Sequence, residues 1–347
     1  MKKATCAVLV AATLTTAVTM RELLSQIVKK EDCFFLSSLH YTTNGMRHSY
    51  SKQNGGLEVI TGVPYDDLSC KHCHTSGCDR CHRAEMNGSY EYSVEASKEQ
   101  GICLECHGRE RAMIDIDQAA KEEDVHFKRG MECMDCHSAR EMHGDGTEYV
   151  SMEEPGAMDA LCENCHMDVE PTTSHTVHGE KLDCKACHVR HVVSCTNCHF
   201  DVFLETGKKK AVKVSGWVFL INNKGKVTSG NMQTFVAKGD KTFMMFAPHM
   251  SHSIMAEGRR CDECHGTEAV QHVRDGEIRL TWMEEGAVRN RKGVIPVVNG
   301  TDYRCVYLDT EDEEWIPIEK HATPVYHYPA FGTPLSTDQL QRLAHPR

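Results

Sequence analysis

Cys184-Lys185-Ala186-Cys187-His188-Val189-Arg190-His191-Val192-Val193-Ser194-Cys195-Thr196-Asn197-Cys198-His199 holds the pattern C-x-x-C-H twice within 16 residues. Outward from this stretch the same pentad recurs. Upstream it stands at Cys70/Cys73/His74, Cys78/Cys81/His82, Cys103/Cys106/His107, Cys133/Cys136/His137 and Cys162/Cys165/His166, and downstream at Cys261/Cys264/His265. With Cys184/Cys187/His188 and Cys195/Cys198/His199 that makes eight copies, and they consume 16 of the 19 cysteines, leaving Cys6, Cys33 and Cys305. A composition of 19 cysteines and 22 histidines in 347 residues supplies only roughly 0.07 such pentads by chance, so the repetition is a designed feature of the chain.

The spacing has a chemical reason. Two cysteines three apart lie on one helical turn and can form thioethers to the two vinyl groups on one edge of a haem. The histidine after the second cysteine swings under the ring and offers its imidazole to the iron. His74, His82, His107, His137, His166, His188, His199 and His265 are therefore the candidate proximal ligands, and eight haem c groups are the expected cofactors. Paired zinc sites need four donors facing each other and do not call for histidine at the fifth position every time. Cys33 and Cys305 form either a disulfide in an oxidising compartment or two buried thiols.

The sixth iron position separates a carrier from a catalyst. A second histidine closes the iron, whereas water leaves a reaction site. By their placement near pentads, His40, His126, His143, His178 and His252 are the leading candidate distal ligands. His191, His249, His272, His175 and His48 form a second group. His72, His321, His327 and His345 read as structural. No C-x-x-C-K variant occurs, and the supply of histidine points to mostly bis-histidine irons of low potential despite 17 methionines.

Successive first cysteines lie 8, 25, 30, 29, 22, 11 and 66 residues apart, which pins the first two haems together and likewise the sixth and seventh. The aromatic content is 7%, so residues 70–199 are expected to use porphyrins as their core. The expected fold class is a multihaem cytochrome c fold with little regular secondary structure, short α-helices around covalently bound haems, and small antiparallel β insertions in the C-terminal half. The β signal lies in Gly216–Ile221, Thr234–Ala237, Lys241–Phe246, Glu277–Trp282, Gly293–Val298, Tyr303–Leu308 and Trp315–Ile318, broken by Asn222-Asn223-Lys224-Gly225-Lys226 and Lys238-Gly239-Asp240. The expected divisions are 1–20 (signal peptide or anchor, from Met1-Lys2-Lys3 and the apolar run to Met20, with Thr15-Thr16-Ala17 as cleavage candidate), 34–200 (seven haems), 201–256 (β-hairpin insertion) and 257–347 (eighth haem and β-rich cap). The net charge of −11 and the lone cationic run Lys208-Lys209-Lys210 argue against a nucleic-acid partner.

The pentads, with the stretches His126–Gly146 and His252–Gly266, resemble the multihaem c-type cytochromes of anaerobic, metal- and sulfur-respiring bacteria, over roughly residues 34–340. The resemblance implies a periplasmic or extracellular location and electron transfer in anaerobic respiration. Redox partners would be a quinol-linked donor and a terminal reductase or extracellular acceptor. Its alternatives are an octahaem reductase of tetrathionate, nitrite or hydroxylamine with one open haem, and a subunit of a homo-oligomeric extracellular cytochrome filament.

Overall fold

The computed structural model describes residues 34–68, 75–206, 211–237, 241–309, 313–318 and 323–344. The readings that fall on residues 1–33 (leader, Cys6, Cys33) lie outside the described residues. So do those on the first pentad, where Cys70 and Cys73 are the expected attachment points, His74 the expected proximal ligand and His72 the residue read as structural. Lys208–Lys210, Lys238–Asp240, His321 and His345 lie outside them as well. Among the described residues no helix is long and apolar enough to cross a membrane.

Among the described residues fifteen strands follow in chain order. The first six are β1 Arg83–Met86, β2 Ser89–Tyr92, β3 Val192–His199, β4 Val212–Asn223, β5 Lys226–Ala237 and β6 Lys241–Pro248. Then come β7 Glu277–Arg279, β8 Thr281–Glu284, β9 Ala287–Asn290, β10 Gly293–Pro296 and β11 Asp302–Arg304. The last are β12 Val306–Leu308, β13 Trp315–Pro317, β14 Val325–His327 and β15 Gly332–Thr333. Seven of them form one mixed sheet in the order β10-β4-β3-β5-β6-β14, with β15 also on β4. β4 and β5 pair antiparallel through Phe219↔Gly230 to Asn223↔Lys226. Their turn places Lys224 at φ 51° and Gly225 at φ 93°, the left-handed pair that a two-residue hairpin of matching twist demands. Beyond Gly230 the two strands part, and β3 lies between them, antiparallel to β4 and parallel to β5.

This sheet overturns the expected fold of little regular secondary structure with small antiparallel insertions. It has seven strands. The β3–β5, β4–β10 and β6–β14 pairs are parallel, and β3 comes from the stretch expected to hold haems and short helices. The reason is legible in burial. Trp217-Val218-Phe219-Leu220-Ile221 is buried without a break, so both faces of β4 are covered, which a solvent-backed hairpin cannot be. Trp217, Phe219 and Ile221 join one core with Met232, Met244, Phe246, Ile295 and Tyr303, while Leu220 packs with Val227, Val270, Val294, Leu335 and Leu343 on the other side. A third cluster ties Tyr50, Leu57, Ile60, Tyr65 and Leu68 to Phe200, Phe203 and Phe243. The polar groups at the β3 seam are satisfied. Trp217 Nε1 donates to Ser194 Oγ at 2.9 Å, Ser194 Oγ to Asn231 Oδ1 at 2.6 Å, and Asn231 Nδ2 to the Val193 carbonyl at 2.9 Å.

The pentad-bearing segment before the sheet is built differently. Between residues 75 and 178 the buried apolar side chains are Ala112, Met113 and Ala157 alone among the described residues. Three such side chains do not make an apolar core of the segment's own.

Candidate haem-attachment and axial-ligand sites

The first pentad, with Cys70, Cys73 and His74, lies outside the described residues, so the geometry concerns the other seven. Six of the described pentads sit on or beside a helical turn: Asp79–His82, Gln100–Cys106, Cys133–Cys136, Cys162–Asn164, Cys184–His188 and Cys261–Cys264. In five of them the histidine N–H donates to the carbonyl of the first cysteine four residues back, at 2.8–3.0 Å. That bond stacks the histidine one turn from the first cysteine, on the same face. The seventh pentad departs from this pattern. Cys195–His199 lies in β3, paired with Gln233, Phe235 and Val236 of β5, so the eleven-residue spacing does not give it the local geometry of the sixth. Asn197 takes φ 58° there. Its Oδ1 accepts from the Leu308 amide at 2.9 Å and from His199 Nε2 at 3.0 Å.

Each of the six helical pentads has its histidine opposite a second, non-pentad histidine. The ring centres of His107 and His40 are 6.3 Å apart, of His82 and His143 5.9 Å, and of His166 and His126 6.2 Å. For His137 and His252 the separation is 6.2 Å, for His188 and His175 6.3 Å, and for His265 and His178 6.1 Å. A metal–imidazole bond is about 2 Å, and each ring nitrogen lies about 1 Å from its ring centre. Two imidazoles bound on opposite faces of one iron therefore have centres about 6 Å apart.

The hydrogen bonds sort the histidines the same way. In seven of the twelve paired rings it is Nδ1 that is engaged. His82 Nδ1 meets the Ser93 carbonyl at 3.3 Å, His175 that of Glu170 at 2.7 Å and His178 that of Ser174 at 2.9 Å. His188 meets the Met255 carbonyl at 3.2 Å, and His265 those of Arg342 and Leu343 at 3.1 Å. His126 Nδ1 faces Asp124 Oδ1 at 3.1 Å and His137 Nδ1 faces Glu141 Oε2 at 2.6 Å. Carbonyls and carboxylates only accept, so Nδ1 carries the proton and Nε2 keeps its lone pair for a metal.

Outside the pairs three histidines engage Nε2 instead. His191 Nε2 bonds Asp117 at 2.8 Å, His199 Nε2 bonds Asn197, and His327 Nε2 bonds the Ser49 carbonyl at 3.1 Å. His272 lies between Glu268 and Arg291. His48 Nδ1 meets Asn54 at 3.2 Å. Desolvation, and then Arg109, push half-buried His249 well below the usual imidazole range. The structure thus brings His40, His126, His143, His175, His178 and His252 to pentad histidines and leaves His48, His191, His249 and His272 elsewhere.

Sequence reasoning passed over the groups behind the paired histidines. Glu141 is buried and accepts from His137 and from the amides of Asp159 and Ala160. Burial pushes its carboxyl up, but these bonds win and hold it below the usual range. Its signal was present: an acid four residues after a pentad histidine. The carbonyl acceptors carry no sequence signal, because every residue has one.

The loop after Glu141 is clamped by Arg140, which donates to Asp159 at 2.6 Å and to Asp145 at 2.9 Å. Arg140 and then Ser138 hold Asp159 below the usual carboxylate range. A carboxylate depressed in the folded state adds stability above its unfolded pKa and loses it as pH falls through the folded value. Between about pH 5 and about pH 2 the thermal midpoint should fall, and Arg140→Gln should flatten that slope. The difference is small because the pair is partly exposed; identical slopes in the two proteins would contradict it.

Among the described residues no cluster of three or more His, Cys, Asp or Glu is arranged to hold a bare metal ion. A porphyrin-held iron asks less of the chain: the macrocycle gives four nitrogens and the protein two. The opposed rings, the Nδ1 anchors and the missing side-chain core of residues 75–178 all fit haem. A cavity of about 220 Å³ lined by His252, Phe127, Met131 and Glu132 adjoins one such pair. No known family, curated protein or solved structure matches this chain.

Proposed function

We propose that this chain is an electron carrier of the periplasm or cell exterior that bears haem c on its eight pentads, with two histidines at each iron of the six paired sites. The observation that carries the reading is the set of six ring pairs, each uniting one pentad histidine with one other at 5.9–6.3 Å. Bound haem supplies one-electron chemistry at its iron.

The chain's own residues do the rest. Cysteine pairs fix the attachment, and the Nδ1 anchors of His82, His126, His137, His175, His178, His188 and His265 fix the orientation and tautomer of those seven imidazoles. Glu141 and Asp124 make His137 and His126 better donors, which favours the oxidised metal and a low potential. Two imidazoles per iron leave no position for a substrate. Thioether attachment of haem takes place outside the cytoplasm, which supports the location. The partners are then redox proteins, a quinol-linked donor on one side and a terminal reductase or extracellular acceptor on the other.

Electron paramagnetic resonance of the oxidised protein tests the reading. Low-spin ferric signals amounting to at least six haems of eight are expected. High-spin ferric iron accounting for more than two of the eight would overturn it.

A further inference from the structure

We infer that the six paired pentads form one unbranched row in the order Cys78–His82, Cys103–His107, Cys133–His137, Cys162–His166, Cys184–His188, Cys261–His265, with the pentad Cys195–His199 not interposed between the last two. The inference rests on the haem reading above and adds the path.

The thiols trace the row. Cys81 stands beside Cys106. Cys103 lies against Cys133. Cys136 lies beside Cys165, Cys162 lies against Cys184, and Cys187 neighbours Cys261. Each interior pentad has its thiols against those of two other pentads. A unit with two such contacts propagates a line and does not branch.

The last link joins pentads far apart in sequence, and two further observations carry it. His175 and His178 lie three apart on the helix Thr173–His178, hence on one face. One opposes His188 and the other His265, so a single turn of helix serves both sites. In addition, the segment leading into Cys261 is laid along the sixth pentad. The Met255 amide donates to the His188 carbonyl at 2.9 Å and the Arg259 amide to that of Cys187 at 3.2 Å. Arg259 Nη2 donates to the carbonyls of Val189 and Arg190 at 2.6 and 2.5 Å. With those contacts direct, the sixth and eighth pentads are neighbours. The seventh, held in β3, stands to one side.

Anomalous scattering at the iron edge from crystals of the mature haem-loaded protein tests the order, each iron being assigned to its pentad by the thioethers that hold it. The expected result is six irons in the stated sequence, with the iron of Cys184–His188 nearest those of Cys162–His166 and Cys261–His265. An iron on Cys195–His199 placed between those of Cys184–His188 and Cys261–His265, or any other order of the six, would overturn the row while leaving the haem reading intact. Absence of iron would overturn both.

Discussion

Alanine in place of Cys103, Cys106, Cys133 and Cys136 is expected to melt much of residues 75–178 while β3 to β6 stay folded. The segment buries only Ala112, Met113 and Ala157 as apolar side chains among the described residues, and it leaves Tyr90, Tyr92, Val94, Leu161, Met167, Val169 and Val177 exposed. On the proposed reading the macrocycles are its interior. Losing two adjacent ones removes apolar burial that nothing else supplies. The sheet has its own core around Trp217, Phe219, Met244, Phe246 and Tyr303 and does not depend on them. Hydrogen exchange reads both halves at once. Amides of 100–143 should lose protection by about a thousandfold or more, equivalent to roughly 4 kcal/mol, and those of β4 and β5 should change little. Equal protection in the two halves, before and after substitution, would show that the segment folds on side chains alone.

The second large effect is electronic. His252→Met should raise the reduction potential of one site by on the order of 0.2 V, a fraction of the ~0.8 V that axial ligands span. His252 suits the test because its loop is fixed independently of the ring. Ile254 donates its amide to Asp124 Oδ2 at 2.8 Å, and the Val125 amide donates to the Ile254 carbonyl at 3.0 Å. Phe127 stacks on the imidazole at 6.2 Å. Glu141→Gln, on the opposite ligand's Nδ1, should shift the same site upward by less, since it removes the charge and keeps the shape. Spectroelectrochemical titration resolves both. If His252→Met left every potential unchanged, the pairing with His137 would be wrong.

What could be read from the chain alone divides by the range of the interaction. The pentads are local, and so is their helical turn. The hairpin at Lys224-Gly225 is local too. The identity of the opposing ring is not. His126 lies just before Cys133 yet faces His166, His178 lies just before Cys184 yet faces His265, and His252 lies just before Cys261 yet faces His137. In these three the opposing ring comes from another part of the fold, whereas His175, just before Cys184, does face the histidine of that same pentad, His188. The sheet was misjudged because its parallel pairings join segments far apart in the chain, Gly293 to Trp217 and Val325 to Phe243. The seventh pentad follows Val192-Val193, β-branched residues that favour a strand, and Trp217 and Asn231 complete the seam that holds it there.

Mass spectrometry of peptides from the purified mature protein, with its visible spectrum, bears most directly on the central claim. Peptides spanning Cys78–His82, Cys103–His107, Cys133–His137, Cys162–His166, Cys184–His188 and Cys261–His265 should each carry the mass of one haem, and the reduced protein should show the Soret and α bands of bis-imidazole haem c. Unmodified peptides and a spectrum without those bands would contradict it.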